Sequence, residues 1–191
     1  MLKRAIAAIA LWAGFGLAHA TSVVPLYLDE IIDTASVAFE GVCLENRTGR
    51  DPQTGLLATF TTFEVGEVLK GSVGSTYTIK QIGGEDKAEG RHFKIFGVPT
   101  FAPGQGYIVF LAGVSAQGFS SPIGLSQGRF EIVQDASGAK VTNGRDFHEM
   151  SQRMPAPVLP DASRTKSTAP MQRMDLGQFK QLVRDRVAAA R

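Results

Sequence analysis

Thr59 to Ile82, TFTTFEVGEVLKGSVGSTYTIKQI, decides the reading of the chain. Phe63 and Val65 alternate with Thr62 and Glu64, and Tyr77 and Ile79 alternate with Thr76, Thr78 and Lys80, which is the period-two pattern of half-buried strands. Gly71 and Gly74 bracket a turn between them. A β-hairpin is the consequence, and Gly66 inside its first strand predicts a shift of register before Val68 and Leu69.

Upstream of the hairpin, Val37 to Glu45 has β character interrupted at Gly41, a predicted bulge or bend. Asn46 to Gly55, NRTGRDPQTG, is rich in turn formers and predicts an exposed loop. Further upstream, Leu28, Ile31, Ile32 and Ala35 fall at helical spacing with Asp29, Glu30 and Asp33 on the other side, predicting a short amphipathic helix.

Downstream, Gly83 to Gly106 reads as a long loop carrying Phe93, Ile95, Phe96, Val98 and Phe101. Long loops in compact domains are often functional. Tyr107 to Ala112, YIVFLA, is a continuous apolar run of the kind found in a central strand buried on both sides. A weak strand near Gln117 to Ser121, a strand over Gly128 to Gln134, a turn at Asp135 to Gly138 and a return strand at Lys140 to Thr142 complete the β pattern.

Pro155, Pro157, Pro160 and Pro170 make Met150 to Met174 an extended tether. Asp175 with Gln178 three residues on reads as a helix start, and Leu176, Phe179, Val183 and Val187 form an apolar stripe on a terminal helix.

Residues 1–20 have the layout of a secretory signal. Lys3 and Arg4 are followed by an apolar run to Leu17 and by Ala18-His19-Ala20, a small-x-small cleavage site. The apolar run is shorter than the roughly 20 residues that a bilayer core requires. A chain cut after Ala20, periplasmic or secreted and without a stable membrane span, is expected. Lys3 and Arg4 belong to the 20 basic residues and the segment has no acid, so the mature chain is neutral and nucleic acid is not an expected partner. Cys43 is the only cysteine, so no intrachain disulfide forms. Its alternatives are a reactive thiol, an intermolecular link, or the reading taken, a small apolar core residue.

No catalytic constellation emerges. Gly124-Leu125-Ser126-Gln127-Gly128 has the spacing of a nucleophile elbow, but a strand rather than a helix is predicted to follow, so it reads as a glycine-bounded turn. His92, His148 and Cys43 do not make up an ordinary zinc set, so no metal or cofactor is expected.

The order helix, bulged strand, loop, hairpin, long loop, apolar strand resembles the netrin-like domain of the tissue inhibitors of metalloproteinases, an oligonucleotide/oligosaccharide-binding (OB) type barrel. The similarity is carried by Val24-Pro25, Thr34 to Glu40, Glu67 to Gly71 and Pro103 to Leu111. Gly124 to Phe130, GLSQGRF, is similar to a stretch found in exported bacterial proteins of unknown function. The resemblance implies a mainly β, OB-like (netrin-like) antiparallel β-barrel with a short N-terminal and a C-terminal helix. The corresponding organisation is 1–20 signal peptide, 21–149 barrel, 150–174 Pro-rich linker and 175–191 terminal helix.

In that family the mature N-terminal amine and carbonyl chelate the zinc of a target protease and the second side chain enters its specificity pocket. The implied residues here are Thr21 and Ser22; the family has cysteines where this chain has Thr21 and Val23. The resulting expectation is an exported non-enzymatic interaction module, metalloprotease-inhibitor-like through Thr21 and Ser22, whose partner is an exported protease or other extracytoplasmic protein. The alternatives are binding of a peptide or glycan by the barrel face with Phe93, Phe96 and Phe101, and a hydrolase using Ser126.

Overall fold

The computed structural model describes residues 23–86, 89–154 and 171–190. The elements in order are α1 (Leu28–Thr34), β1 (Val37–Arg50), β2 (Leu57–Lys70), β3 (Thr76–Ile82), β4 (Gly84–Asp86), β5 (Arg91–Phe93), β6 (Gly106–Leu111), β7 (Arg129–Asp135), β8 (Gly138–Thr142), α2 (Phe147–Met150), β9 (Met174–Asp175) and α3 (Leu176–Ala189). Seven strands form one antiparallel sheet in the order β3-β2-β1-β6-β7-β8-β9, and β4 and β5 form a separate two-stranded ribbon. The fold is mainly β, with the expected helix near each end. The closed barrel anticipated from the sequence is not seen. The hydrogen-bonded order ends at β3 on one side and β9 on the other, with no pairing between them among the described residues.

The sheet is organised by β6, which is buried at every position from Tyr107 to Leu111. Ile108 and Phe110 enter one core with Ala38, Phe130 and Val141, closed by Leu28, Ile31 and Ile32 of α1, Phe147 of α2, and Phe179, Leu182 and Val183 of α3. Phe110, Phe130, Phe147 and Phe179 form a ring cluster with centroids 4.8–6.2 Å apart. Tyr107, Val109 and Leu111 enter a second core on the opposite face with Phe39, Cys43, Phe63, Ile79 and Phe101. Cys43 is therefore a buried core residue, and burial pushes its thiol pKa up.

The β1–β2 ladder contains three register shifts. Opposite Glu40-Gly41 lie Glu67 and Val65, so Gly66 is the extra residue of a bulge, where the sequence places a shift. Gly41 faces this point rather than carrying the extra residue: a Cβ on Gly41 would lie 2.7 Å from the Glu64 carbonyl oxygen, whereas one on Gly66 would meet nothing nearer than 3.8 Å. A second extra residue is Leu44, which falls between the pairs Cys43↔Phe63 and Glu45↔Thr62.

Three sequence expectations need correction. Asn46 to Arg50 are not loop but the end of β1, because pairing with Leu57 to Thr61 of β2 overrides their turn propensity. The loop is reduced to the turn after Arg50, where Asp51 accepts from the Thr54 hydroxyl and Lys80. Gln117 to Ser121 forms no strand; only an isolated bridge, Leu111↔Pro122, marks the place. Gly83 to Gly106 is not wholly loop, since it contains β4 and β5. Most of the Pro-rich segment, 155–170, lies outside the described residues, but at its end Met174 pairs with Val141 of β8. No helix among the described residues is long and apolar enough to cross a membrane.

Polar contacts fix the helices. Glu30 accepts from the Tyr27 N–H at 2.9 Å at the start of α1, and the Lys70 ammonium donates to the carbonyls of Ile32 and Asp33 at its end. Asp175 caps α3 by accepting from the Gly177 and Gln178 N–H groups. Along α3, Lys180 reaches Glu40 and Glu67, Arg184 reaches Glu67, and Arg186 reaches Asp33. The Arg186 hydrogen bond holds the Asp33 carboxyl below its ordinary pKa, and the Arg184 hydrogen bond does the same for Glu67.

Two predictions follow from this packing. Gly41→Ala drives a methyl group into backbone and should cost about 1–3 kcal/mol by urea unfolding, whereas Gly66→Ala should be tolerated; equal losses would contradict the close approach. Asp33 and Glu67 titrate lower folded than unfolded, so their contribution is full above the unfolded range near pH 4 and is lost as pH falls through the folded values. The urea midpoint should hold steady down to about pH 5 and then decline, and Arg186→Ala should make that decline shallower.

Candidate functional site

The face that carries the second core changes character along its strands. On β2, Phe63 belongs to the core, while Thr61 and Thr59, two and four residues back on the same face, line a cleft. On β3, Ile79 is core and Gln81 lines the cleft. On β1 the extra residue at Leu44 exchanges the faces, so that Asn46 and Thr48, not Glu45 and Arg47, continue the face of Cys43.

The connection from β3 to β6 roofs this polar end. It leaves the sheet at Gly83, whose φ of 101° and whose would-be Cβ, 2.8 Å from the Phe93 carbonyl, admit only glycine. The Thr59 hydroxyl donates to the Gly83 carbonyl at 2.7 Å. Arg50, the last residue of β1, holds the ribbon side through Asp86 at 3.3 Å and Glu89 at 2.6 Å. On the return leg, Phe101 packs edge-on against Phe63 and Tyr107 at 5.0 and 5.1 Å, and Arg129 donates to the Thr100 carbonyl at 2.7 Å. The Tyr107 hydroxyl accepts from the Ala102 N–H at 2.9 Å, so this tyrosine is part of the frame.

The cleft, open to solvent on one side, has a volume of about 280 Å³, with apolar walls supplied by residues such as Ile82, Phe93, Ile95, Val98 and Phe101. Several of its polar groups are satisfied internally. The Thr61 hydroxyl donates to Asn46 Oδ1 at 2.6 Å, and Asn46 Nδ2 donates to the Phe101 carbonyl at 2.7 Å. Gln81 differs: the residue is 2% exposed, yet its Nε2 has no hydrogen-bond acceptor among the described residues. A buried unmade donor costs about 1–3 kcal/mol.

Of the sequence candidates, Phe93 and Phe101 meet in this cleft. Phe96 does not line it and is 84% exposed. Thr21 and Ser22 lie outside the described residues. The segment that follows them is held by side chains: Gln127 donates to the Val24 carbonyl at 3.0 Å and accepts from the Leu26 N–H at 2.8 Å. Arg145 donates to both the Leu26 carbonyl and Gln127 Oε1. The turn carrying Gln127 also touches the long loop, since Leu125 Cδ1 lies 2.7 Å from the place a Cβ would occupy on Gly97.

Ser126 is exposed on that turn, with Gly124 and Leu125 at positive φ and β7 starting at Arg129. The strand-turn-helix setting of a nucleophile elbow is absent there. Among the described residues no three His, Cys, Asp or Glu side chains gather closely enough to hold a metal ion.

Gln81, Asn46, Thr59, Thr61 and Thr48 were not singled out from the sequence. The available signal was Gln81 itself, a polar residue where alternation from Tyr77 and Ile79 calls for an apolar one. Compared with known proteins, the chain matches no family model, no curated protein and no solved structure.

Proposed function

We propose that this is an exported, non-enzymatic binding module whose ligand site is the cleft between the β1–β2–β3 face and the loop after Gly83. The observation that carries the reading is the buried Gln81 Nε2 without an acceptor, beside the satisfied Asn46 and Thr61 and the apolar wall. Burying an unmade donor is unfavourable for folding, and a bound ligand with an acceptor turns that deficit into affinity and specificity. The export part rests on the layout of residues 1–20. An OB-like, netrin-like architecture belongs to the same proposal. It is supported by the long, bulged β1–β2 hairpin, from which β6 and β3 extend the sheet at different points along its length.

A second reading, metalloprotease inhibition through Thr21 and Ser22, is favoured by the Gln127–Arg145 clamp on residues 24–26. Such a clamp restrains the segment after a free terminus without disulfides and so lowers the ordering entropy lost on binding.

Gln81→Leu removes the unmade donor at nearly constant shape. It is expected to raise the unfolding midpoint by about 2–4 °C, the equivalent of roughly 1 kcal/mol. A marked fall in the midpoint would mean that Gln81 is a structural residue and would sink the cleft reading. For the second reading, mature protein titrated against a panel of zinc proteases should inhibit at least one of them. One residue added before Thr21 should abolish that inhibition, and unchanged inhibition would reject the role of the terminus.

A further inference from the structure

We infer that the ligand of the cleft is a polypeptide segment that inserts one apolar side chain and offers an adjacent backbone carbonyl to Gln81 Nε2, an inference that rests on the binding reading above. Of the peptide and glycan classes, the hydrogen-bond inventory separates the two. Asn46, Thr59 and Thr61 donate to Oδ1 of Asn46 and to the carbonyls of Phe101 and Gly83, and among the lining residues Gln81 Nε2 is the buried side-chain donor without a partner. A sugar ring brings several hydroxyl groups, each of which loses its water on entry; the apolar walls of Ile82, Ile95, Val98 and Phe101 return none of those bonds, and the remaining polar lining residues, Thr48, Glu85, His92, Lys94 and Thr100, are exposed rather than buried around it. An apolar side chain with one neighbouring carbonyl needs one donor, and one is present.

Size and surroundings point the same way. About 280 Å³ lies just below the roughly 300–1,000 Å³ of sites that enclose a drug-sized molecule, and suits a single anchored side chain. Beside the cleft the chain presents further apolar surface. Phe93 is 48% exposed although it lines the cleft, and Phe96, one residue beyond the lining Ile95, is 84% exposed. A small molecule inside the cleft leaves Phe96 in water, whereas a segment continuing past the anchor covers it. Buried aromatic or aliphatic anchors flanked by lesser contacts are the usual energetic pattern of protein recognition.

The test uses the full mature chain with nitrogen-labelled amide spectra, which include the Gln81 side-chain signal. The probes are N-acetyl-phenylalanine methylamide, the pentapeptide Gly-Gly-Phe-Gly-Gly with blocked ends, and the disaccharides chitobiose and cellobiose. Both peptide probes should shift the Gln81 side-chain signal and the Phe101 amide, and the disaccharides should shift neither. Gln81→Leu, whose spectrum otherwise reports an intact fold, should weaken both peptide probes roughly tenfold, the worth of one hydrogen bond to a buried donor. Phe96→Ser should weaken the pentapeptide and leave the single-residue probe unchanged.

If the disaccharides shift the cleft signals and the peptides do not, the polypeptide inference is overturned while the binding reading survives. Peptide binding indifferent to Gln81→Leu overturns the assigned role of the donor. Absence of any shift in the cleft with all four probes overturns both readings.

Discussion

Tyr107 to Leu111 is buried at every position, and a strand of this kind in the middle of a sheet leaves two faces that must both be shielded from water. Most of the architecture is a response to that demand. One face is covered by helices drawn from opposite ends of the chain, α1 with Leu28, Ile31 and Ile32 and α3 with Phe179, Leu182 and Val183. The other is covered partly by the curled β1–β2–β3 hairpins and partly by the return leg of the long connection, which delivers Phe101 against Phe63 and Tyr107. Cys43 is buried as filling between these layers.

The cleft arises where this covering and the apolar face fall out of step. Apolar residues on the second face stop at Cys43, Phe63 and Ile79, but β1, β2 and β3 continue for several residues and the connection continues above them. Beyond that boundary the sheet presents Asn46, Thr48, Thr59, Thr61 and Gln81 to a roof of Phe93, Ile95, Val98 and Phe101. Asn46, Thr59 and Thr61 find partners on the sheet or the roof, which ties the layers together. Gln81 is the exception among the buried lining residues, and a local imbalance inside a well-paired region is the kind of rule-breaking associated with functional positions.

Local periodicity carried much of the fold into the sequence. The period-two pattern around Phe63 and Ile79, the apolar run at Tyr107, the helical spacing of Leu28 to Ala35 and the Asp175 cap all reappear as elements, because each depends on residues near one another. What escaped depends on partners far away. Asn46 to Arg50 look like loop until β2 is laid beside them, and the short ribbon of β4 and β5 has only three residues per strand to announce it. The site was harder to read than the fold for one particular reason. The extra residue at Leu44 reverses which side chains of β1 face the second core, so strict alternation from Cys43 would assign Glu45 and Arg47 to the cleft in place of Asn46 and Thr48. Phe93 and Phe101 were legible as loop aromatics, whereas the amide they enclose was not.

The pairing of the two terminal helices on one face also constrains the order of events in folding. Arg186 meets Asp33 across 153 residues of chain, and Phe179 fills the same core as Leu28. Contacts of such long range are slow to form because a large loop must close before any of them is rewarded. During synthesis the face of β6 bearing Ile108 and Phe110 therefore waits, half covered, until α3 has emerged. For that interval the protein is a sheet with an open apolar side, and the docking of α3 ends its exposure to the surroundings.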